Sequence, residues 1–304
     1  MDLDINPAVA RALNAREPVV ALESTLICHG LPRPRNLEVA RAVEAIVLAE
    51  GAQPATIALI DGRIRVGLDA PTLARLASSD GVVKCSPRDL ALVAVRRALG
   101  ATTVAGTIHI AAAAGSRIMA TGGIGGVHRG WERSLDVSAD LHELGRSGVA
   151  VVCSGAKIIL DLPRTLELLE SLAVPVVGYR CDAFPAFYAR DSGLPVSRLD
   201  AVAELAELVK AQAMLGWPAG LVIANPPPAD LALPAAQLEA WIAAALDDAL
   251  ARRVMGKHTT PFRLAALARL SEGRTVALNE ALVLDNARLA ARLAKAYAAG
   301  GDGS

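Results

Sequence analysis

Short runs of small and branched apolar residues recur along this chain, and each gives way to a segment of helical period. PVVALEST (18–25), VVKC (82–85), RIMA (117–120), VAVVC (149–153), VPVVG (174–178) and LVIAN (221–225) are too short for helices and too continuously apolar for half-solvated strands. Strands apolar on both sides belong to parallel sheets covered by helices on each face. The alternation therefore predicts an α/β fold, a three-layer α/β/α single domain over 1–304 with a largely parallel sheet. TIALIDGRIRVG (56–67) is an exception, because Asp61-Gly62 suits a tight primed turn and makes this stretch a hairpin, so the sheet is mixed.

Helix signals punctuate the runs. Asn36 is expected to cap a helix with Val39, Val43, Ile46 and Val47 on one face, closed by Gly51. Ser86, Pro87 and Asp89 form a start signal for a helix expected to end at Gly100. The Pro- and Gly-rich stretch 217–234 encloses LVIAN and reads as a loop pair within the domain, and the tail AAGGDGS is expected to fray.

The core must be built of Ala, Val, Leu and Ile, since 53% of the 304 residues are hydrophobic and only 3% aromatic. Thirty-one basic residues balance thirty-one acidic ones, which argues against a nucleic-acid partner while leaving room for a local cationic pocket. Cys28, Cys85, Cys153 and Cys181 form no CxxC pair, so they read as reduced thiols of a cytoplasmic protein. The N-terminus lacks a charged segment followed by an apolar one, and no apolar run is long enough to span a membrane.

The polar residues that interrupt this background are the candidates for chemistry. TGGIGGVHRG (121–130) matches neither GxGxxG nor the Walker pattern, but its glycines permit close backbone approach and positive φ, and His128 and Arg129 favour an anion site over a crowded turn. The five histidines include no i, i+4 pair, whereas a hard cation held by one carboxylate and water would leave only a residue such as Asp136 or Asp140 as its trace. Glu23, Lys84 and Lys157 each stand at or just beyond the end of an apolar run. In a parallel sheet those ends converge on one edge, where open α/β sheets bind ligands.

Several long motifs, ALESTLICHGLPRPRN, TTVAGTIHIAAAAGSRIMATGGIGGVHRG, LDVSADLHEL, VVCSGAKIILDL, FPAFYARDSG, VIANPPP, GKHTTPFRL and ALNEALVLDNARLA, span about 17–296. In these the chain resembles the pseudouridine-5′-phosphate glycosidase, or indigoidine synthase A-like, family. The resemblance implies reversible cleavage of the C–C glycosidic bond of pseudouridine 5′-phosphate to uracil and ribose 5-phosphate, through ring opening and a lysine Schiff base. It implies one divalent cation per subunit, typically Mn2+, and a homotrimer acting on small molecules.

Residue by residue, the resemblance makes Lys157 the nucleophile and Glu23 the proton donor. It makes Asp136 the metal ligand, with Ser138, Ala139 and Asp140 lining the substrate site. Lys84 and Val104 match substrate-contact positions, and His128 and Asn279 match further active-site residues. An apolar surround fits a nucleophilic lysine, because it favours the neutral amine. Cys85, Pro87, Trp131, Glu280 and Asp285 depart from the family's usual residues and bear on substrate preference or the trimer contact. No sugar-kinase domain accompanies these motifs, so a separate kinase is expected to supply the substrate. The alternative is a Schiff-base aldolase or lyase on another phosphosugar, which needs Lys157 but not Glu23. A non-catalytic nucleotide-binding protein would need neither Lys157, Glu23 nor Asp136.

Overall fold

The computed structural model describes residues 3–252, 254 and 259–300. Gly256, Lys257 and His258 of the GKHTTPFRL motif, and the end of the tail, lie outside them. The strands are β1 (Asp4–Ile5), β2 (Val19–Leu22), β3 (Gln53–Ile60), β4 (Arg63–Val66), β5 (Val83–Cys85), β6 (Gly100–Thr102) and β7 (Ile118–Ala120). They continue with β8 (Val127–His128), β9 (Ala150–Cys153), β10 (Leu160–Asp161), β11 (Val176–Tyr179), β12 (Ser197–Leu199) and β13 (Leu221–Ala224). Among the described residues, eleven of these strands form one mixed sheet in the order β1-β4-β3-β2-β7-β9-β13-β11-β12, with β6 pairing β3 and β5 on a side limb. β8 and β10 form a separate antiparallel pair.

The centre of the sheet is parallel throughout. β2 aligns Ala21 with Met119 of β7, which in turn faces Val151 of β9, and Val152 of β9 faces Ile223 of β13. Every residue of β2, β7, β9 and β13 is buried, as strands covered on both faces require. The long helix Arg274–Ala299 packs across β2, β7 and β9. It buries Leu278, Leu282, Val283 and Ala287 against the apolar core.

The hairpin forms as its turn residues dictate, with Asp61 at φ 52° and Gly62 at φ 81°. Three local expectations are corrected. Asn36 does not cap its helix, which starts at Arg35; its buried amide donates to the Ile27 and Ala77 carbonyls and fixes the loop before the helix. The helix begun by Pro87 stops at Val95, and Gly100 opens β6. Residues 298 and 299 of the supposed tail belong to the long helix.

Candidate active site

Glu23 follows β2, Thr121 follows β7, Ser154 to Lys157 follow β9, and Asn225 follows β13. Because these strands are parallel neighbours, their carboxyl ends deliver the four groups to one edge. Lys84 arrives differently from expected. It lies within β5, on the limb that runs antiparallel to β3, yet its charge acts on both Glu23 and His128. Ser24 joins that limb to the end of β2 by accepting from the Thr102 amide at 2.8 Å.

Burial raises the Glu23 carboxyl above the usual carboxylate range. A niche of about 20 Å³ beside it is lined by Leu22, Leu26, Ile27, Val43 and Val283, which supply no compensating charge. Lys157 opposes the shift most, then the hydroxyl of Thr121, which donates to Glu23 Oε1. The result is a carboxyl biased towards its protonated form beside a lysine.

Lys157 is placed by backbone. Gly155 takes φ 76°, and a Cβ there would collide with the Pro185 carbonyl, so the loop needs glycine at that step. The Ile124 amide then donates to the Gly155 carbonyl at 3.0 Å and the Lys157 amide to the Ile124 carbonyl at 3.1 Å. These bonds zip the lysine loop to the glycine-rich loop. Lys157 itself is half-buried.

The glycine-rich loop serves close packing rather than positive φ, which within 121–130 occurs only at Gly130. Side chains at Gly123, Gly125 and Gly126 would strike Phe187, Ser138 and Thr165 respectively. One anion does sit on its backbone, and it is the protein's own: Asp140 accepts from the Gly125 amide at 2.7 Å and from the Ala105 amide at 2.8 Å. Both oxygens of Asp140 are thus engaged in fixing the loop to the helix Val104–Ala114. Ser138 and Ala139 stand half-buried at the start of the next helix, and the Val104 side chain is buried, leaving only its backbone to meet a ligand.

His128 on β8 is 9% exposed, and burial holds its pKa below the ordinary value. Asp136 opposes this shift; Arg263, Lys157 and Lys84 reinforce it. His128 Nδ1 stands 4.0 Å from Asp136 Oδ2, beyond hydrogen-bond distance, and has no hydrogen-bond partner among the described residues. Among the described residues, no group of three or more His, Cys, Asp or Glu could hold a metal. The donor set fits a hard cation held by Asp136 and otherwise by water. Asn279 is 6% exposed with its Oδ1 unpartnered, close to Gly122.

Two residues escaped the sequence reading. Asn286, fully buried, donates to the Thr121 carbonyl at 2.9 Å and to Ser154 Oγ at 3.1 Å, and accepts from Asn225 Nδ2 at 3.0 Å. One amide therefore ties the ends of β7, β9 and β13. Arg263, in the helix Thr259–Leu270, is 7% exposed and feels the charges of Asp136 and Arg129. Helical spacing was the available signal, since Arg263 shares the buried stripe of Ala266 and Leu267, and Asn279 and Asn286 that of Leu282 and Val283. Of the unusual residues, Glu280 takes a two-pronged contact from Arg35 at 2.9 and 2.8 Å, and Asp285 accepts from Asn225 at 2.9 Å.

The family model for indigoidine synthase A like protein matches residues 8–296. A protein of Jannaschia sp. (strain CCS1) named pseudouridine-5′-phosphate glycosidase is 52% identical over 297 residues, covering 97% of this chain and 98% of its own. One of the same name from Methylobacterium nodulans is 52% identical over 295 residues, covering 97% and 88%. Among solved structures, the prealnumycin C-glycosynthase AlnA in complex with ribulose 5-phosphate superposes with a TM-score of 0.90 at 39% identity, over 98% of this chain and 97% of that one. An indigoidine synthase A-like protein from Thermotoga maritima gives 0.86 at 35%, over 92% and 93%. A sheet edge carrying Glu23 and Lys157, a matching family model and relatives of this identity across nearly the whole length place the chain in the indigoidine synthase A-like family.

Proposed function

We propose that this chain is an enzyme that reversibly cleaves pseudouridine 5′-phosphate to uracil and ribose 5-phosphate. The observation that carries the reading is the pairing of Glu23, biased towards its protonated form, with Lys157, close enough to dominate the electrostatic opposition to that bias. Uracil C5 is a poor leaving group unless protonated, and a sugar carbon releases it only if electrons are pushed from behind. The Lys157 amine bonds to C1′ as the C1′–O4′ bond opens, and a proton passes from its nitrogen to O4′. Glu23 then gives its proton to uracil C5, the C1′–C5 bond breaks towards uracil, and the lysine lone pair closes the imine. Water hydrolyses the imine to ribose 5-phosphate and restores the amine.

Thr121 holds the Glu23 carboxyl by its hydroxyl and stabilises the anion left after proton transfer. Asp136 is the residue to hold a divalent cation, taken to be Mn2+, which when bound supplies electrostatic stabilisation to the sugar's oxygens. Lys84, Ser138, Ala139, His128 and Asn279 line the substrate site in this reading, with the Val104 backbone and Asp140, the latter acting by fixing the loops. A homotrimeric, cytoplasmic protein completes it, in keeping with four free cysteines and with no described helix long and apolar enough to cross a membrane. The solved relative bound to ribulose 5-phosphate supports a phosphosugar and a C-glycosidic bond.

The test is incubation of the purified protein with ribose 5-phosphate and uracil. A C-nucleotide identified by mass and ultraviolet spectrum is the expected product. Sugar trapped on Lys157 without any C-nucleotide would replace this reading with a Schiff-base aldolase.

A further inference from the structure

Arg263 is 93% buried, yet its Nε and Nη1 have no hydrogen-bond partner among the described residues, and none of its nitrogens lies within 4.0 Å of a described carboxylate. A buried guanidinium in that condition is unfavourable unless something else completes it. Its surroundings show what that is. Arg129, whose charge acts on it, is already engaged in a two-pronged contact with Glu239 at 3.1 and 3.0 Å. Asp136 lies within electrostatic reach but not in contact. His128, which feels Arg263 and also Lys157 and Lys84, has its Nδ1 equally without a partner. Cationic groups therefore outnumber the one carboxylate, Asp136, that acts on both His128 and Arg263, and Arg263 holds two unused N–H donors.

Building on the function proposed above, we infer that Arg263 anchors the phosphate monoester of the sugar, donating from Nε and Nη1 to two phosphate oxygens. A planar guanidinium fork matches two oxygens of a phosphate as an ammonium does not. Lys157 is thereby left for the chemistry, and the sugar is held by the end farthest from the bond that breaks. Burial also lowers the affinity of Arg263 for its own proton, and a dianionic phosphate reverses that tendency. The site consequently prefers phosphorylated sugars to their unphosphorylated counterparts through this side chain.

The experiment measures binding of ribose 5-phosphate, inorganic phosphate and ribose to the full chain by calorimetry, alongside steady-state cleavage of pseudouridine 5′-phosphate. Arg263→Leu should weaken ribose 5-phosphate and inorganic phosphate by about tenfold or more, as loss of hydrogen bonds to a charged group entails, and leave ribose within about twofold. KM should rise by a similar factor while kcat stays within about threefold, as for an anchor that holds ground state and transition state alike. Unchanged affinity for ribose 5-phosphate in a folded Arg263→Leu would overturn the inference. So would a variant that loses stability but keeps the preference for ribose 5-phosphate over ribose, which would make Arg263 a partner of Asp136. Should the leucine variant not fold, Arg263→Gln is judged by the same criteria. A wild-type protein that binds no ribose 5-phosphate would sink the functional reading and this inference with it, whereas wild-type binding that survives both substitutions sinks the inference alone.

Discussion

Replacing Asn286 by leucine tests whether one buried amide keeps the two reacting groups in register. Leucine nearly matches asparagine in shape but makes none of its hydrogen bonds. The Thr121 carbonyl and Ser154 Oγ would lose their recorded side-chain partner, and Asn225 Nδ2 would keep only Asp285. Two stranded buried groups cost about 2–6 kcal/mol together. Leucine's own apolar burial returns about 1.5 kcal/mol, for a net loss of about 0.5–4.5 kcal/mol with a midpoint of about 2.5 kcal/mol. At about 2–4 °C per kcal/mol the midpoint loss lowers the Tm by about 5–10 °C, so the variant is expected to be folded at 25 °C. Activity should suffer beyond this. Release of the 121–122 and 154 backbone moves the hydroxyl that holds Glu23 and the loop that carries Lys157, and a shift of about 1 Å at reacting groups costs up to about a hundredfold. Thermal unfolding followed by circular dichroism and cleavage at 25 °C on the same preparation give both quantities. A lowered Tm with full kcat would show that Asn286 supports the fold but not the register, and no change in either would refute the reasoning.

Borohydride reduction in the presence of ribose 5-phosphate should attach the sugar to Lys157, and Lys157→Ala should neither trap nor cleave; label found at Lys84 in an active Lys157→Ala protein would displace the assignment. Glu23→Gln should still trap the sugar while losing cleavage by about a hundredfold or more, and a folded variant that does neither would move Glu23 to the ring-opening step. Because Glu23 must be protonated to act, cleavage falls as pH rises through its raised folded pKa; Thr121→Val removes a donor that favours the anion, lifts that pKa further and should carry the alkaline limb of the pH profile upward, with an unmoved limb as the contrary result. Chelation should abolish turnover and Mn2+ restore it, with Asp136→Asn weakening cation binding measured by calorimetry, and full activity after exhaustive chelation would remove the metal from the reaction.

Continuous apolar runs revealed the sheet because strands buried on both faces leave no choice of residue: VVAL, AVVC and LVIA are strands along their whole length. Glu23 and Lys157 were legible as charges at the ends of those runs, and the long motifs then assigned their chemistry. Asn36 misled because a residue suited to capping also suits a buried loop where carbonyls need a donor, and only the tertiary fold says which. Lys84 was expected at the edge of a mixed, largely parallel sheet, and its charge reaches Glu23 and His128 from the reversed limb of β5 and β6. Asn286 and Arg263 were hidden for a different reason. Each occupies an apolar stripe of an amphipathic helix, where a polar residue has meaning only through what lies opposite, and those partners come from other parts of the chain.

Glu23 and Lys157 lie beyond the carboxyl ends of β2 and β9, and a single strand, β7, separates those two strands. Adjacent strands lie about 4.8 Å apart, so the two carriers are separated by about 10 Å, a gauge set by main-chain hydrogen bonds alone. Side chains on either face of the sheet can drift, with the helices adjusting over them, and the gauge does not change. The surrounding loops are free to diverge and admit a different base or ring, while the spacing of the two strands that lead to the acid and the nucleophile is inherited with the strand order. Substitution within the sheet's interior should therefore register as lost stability long before it registers as altered chemistry.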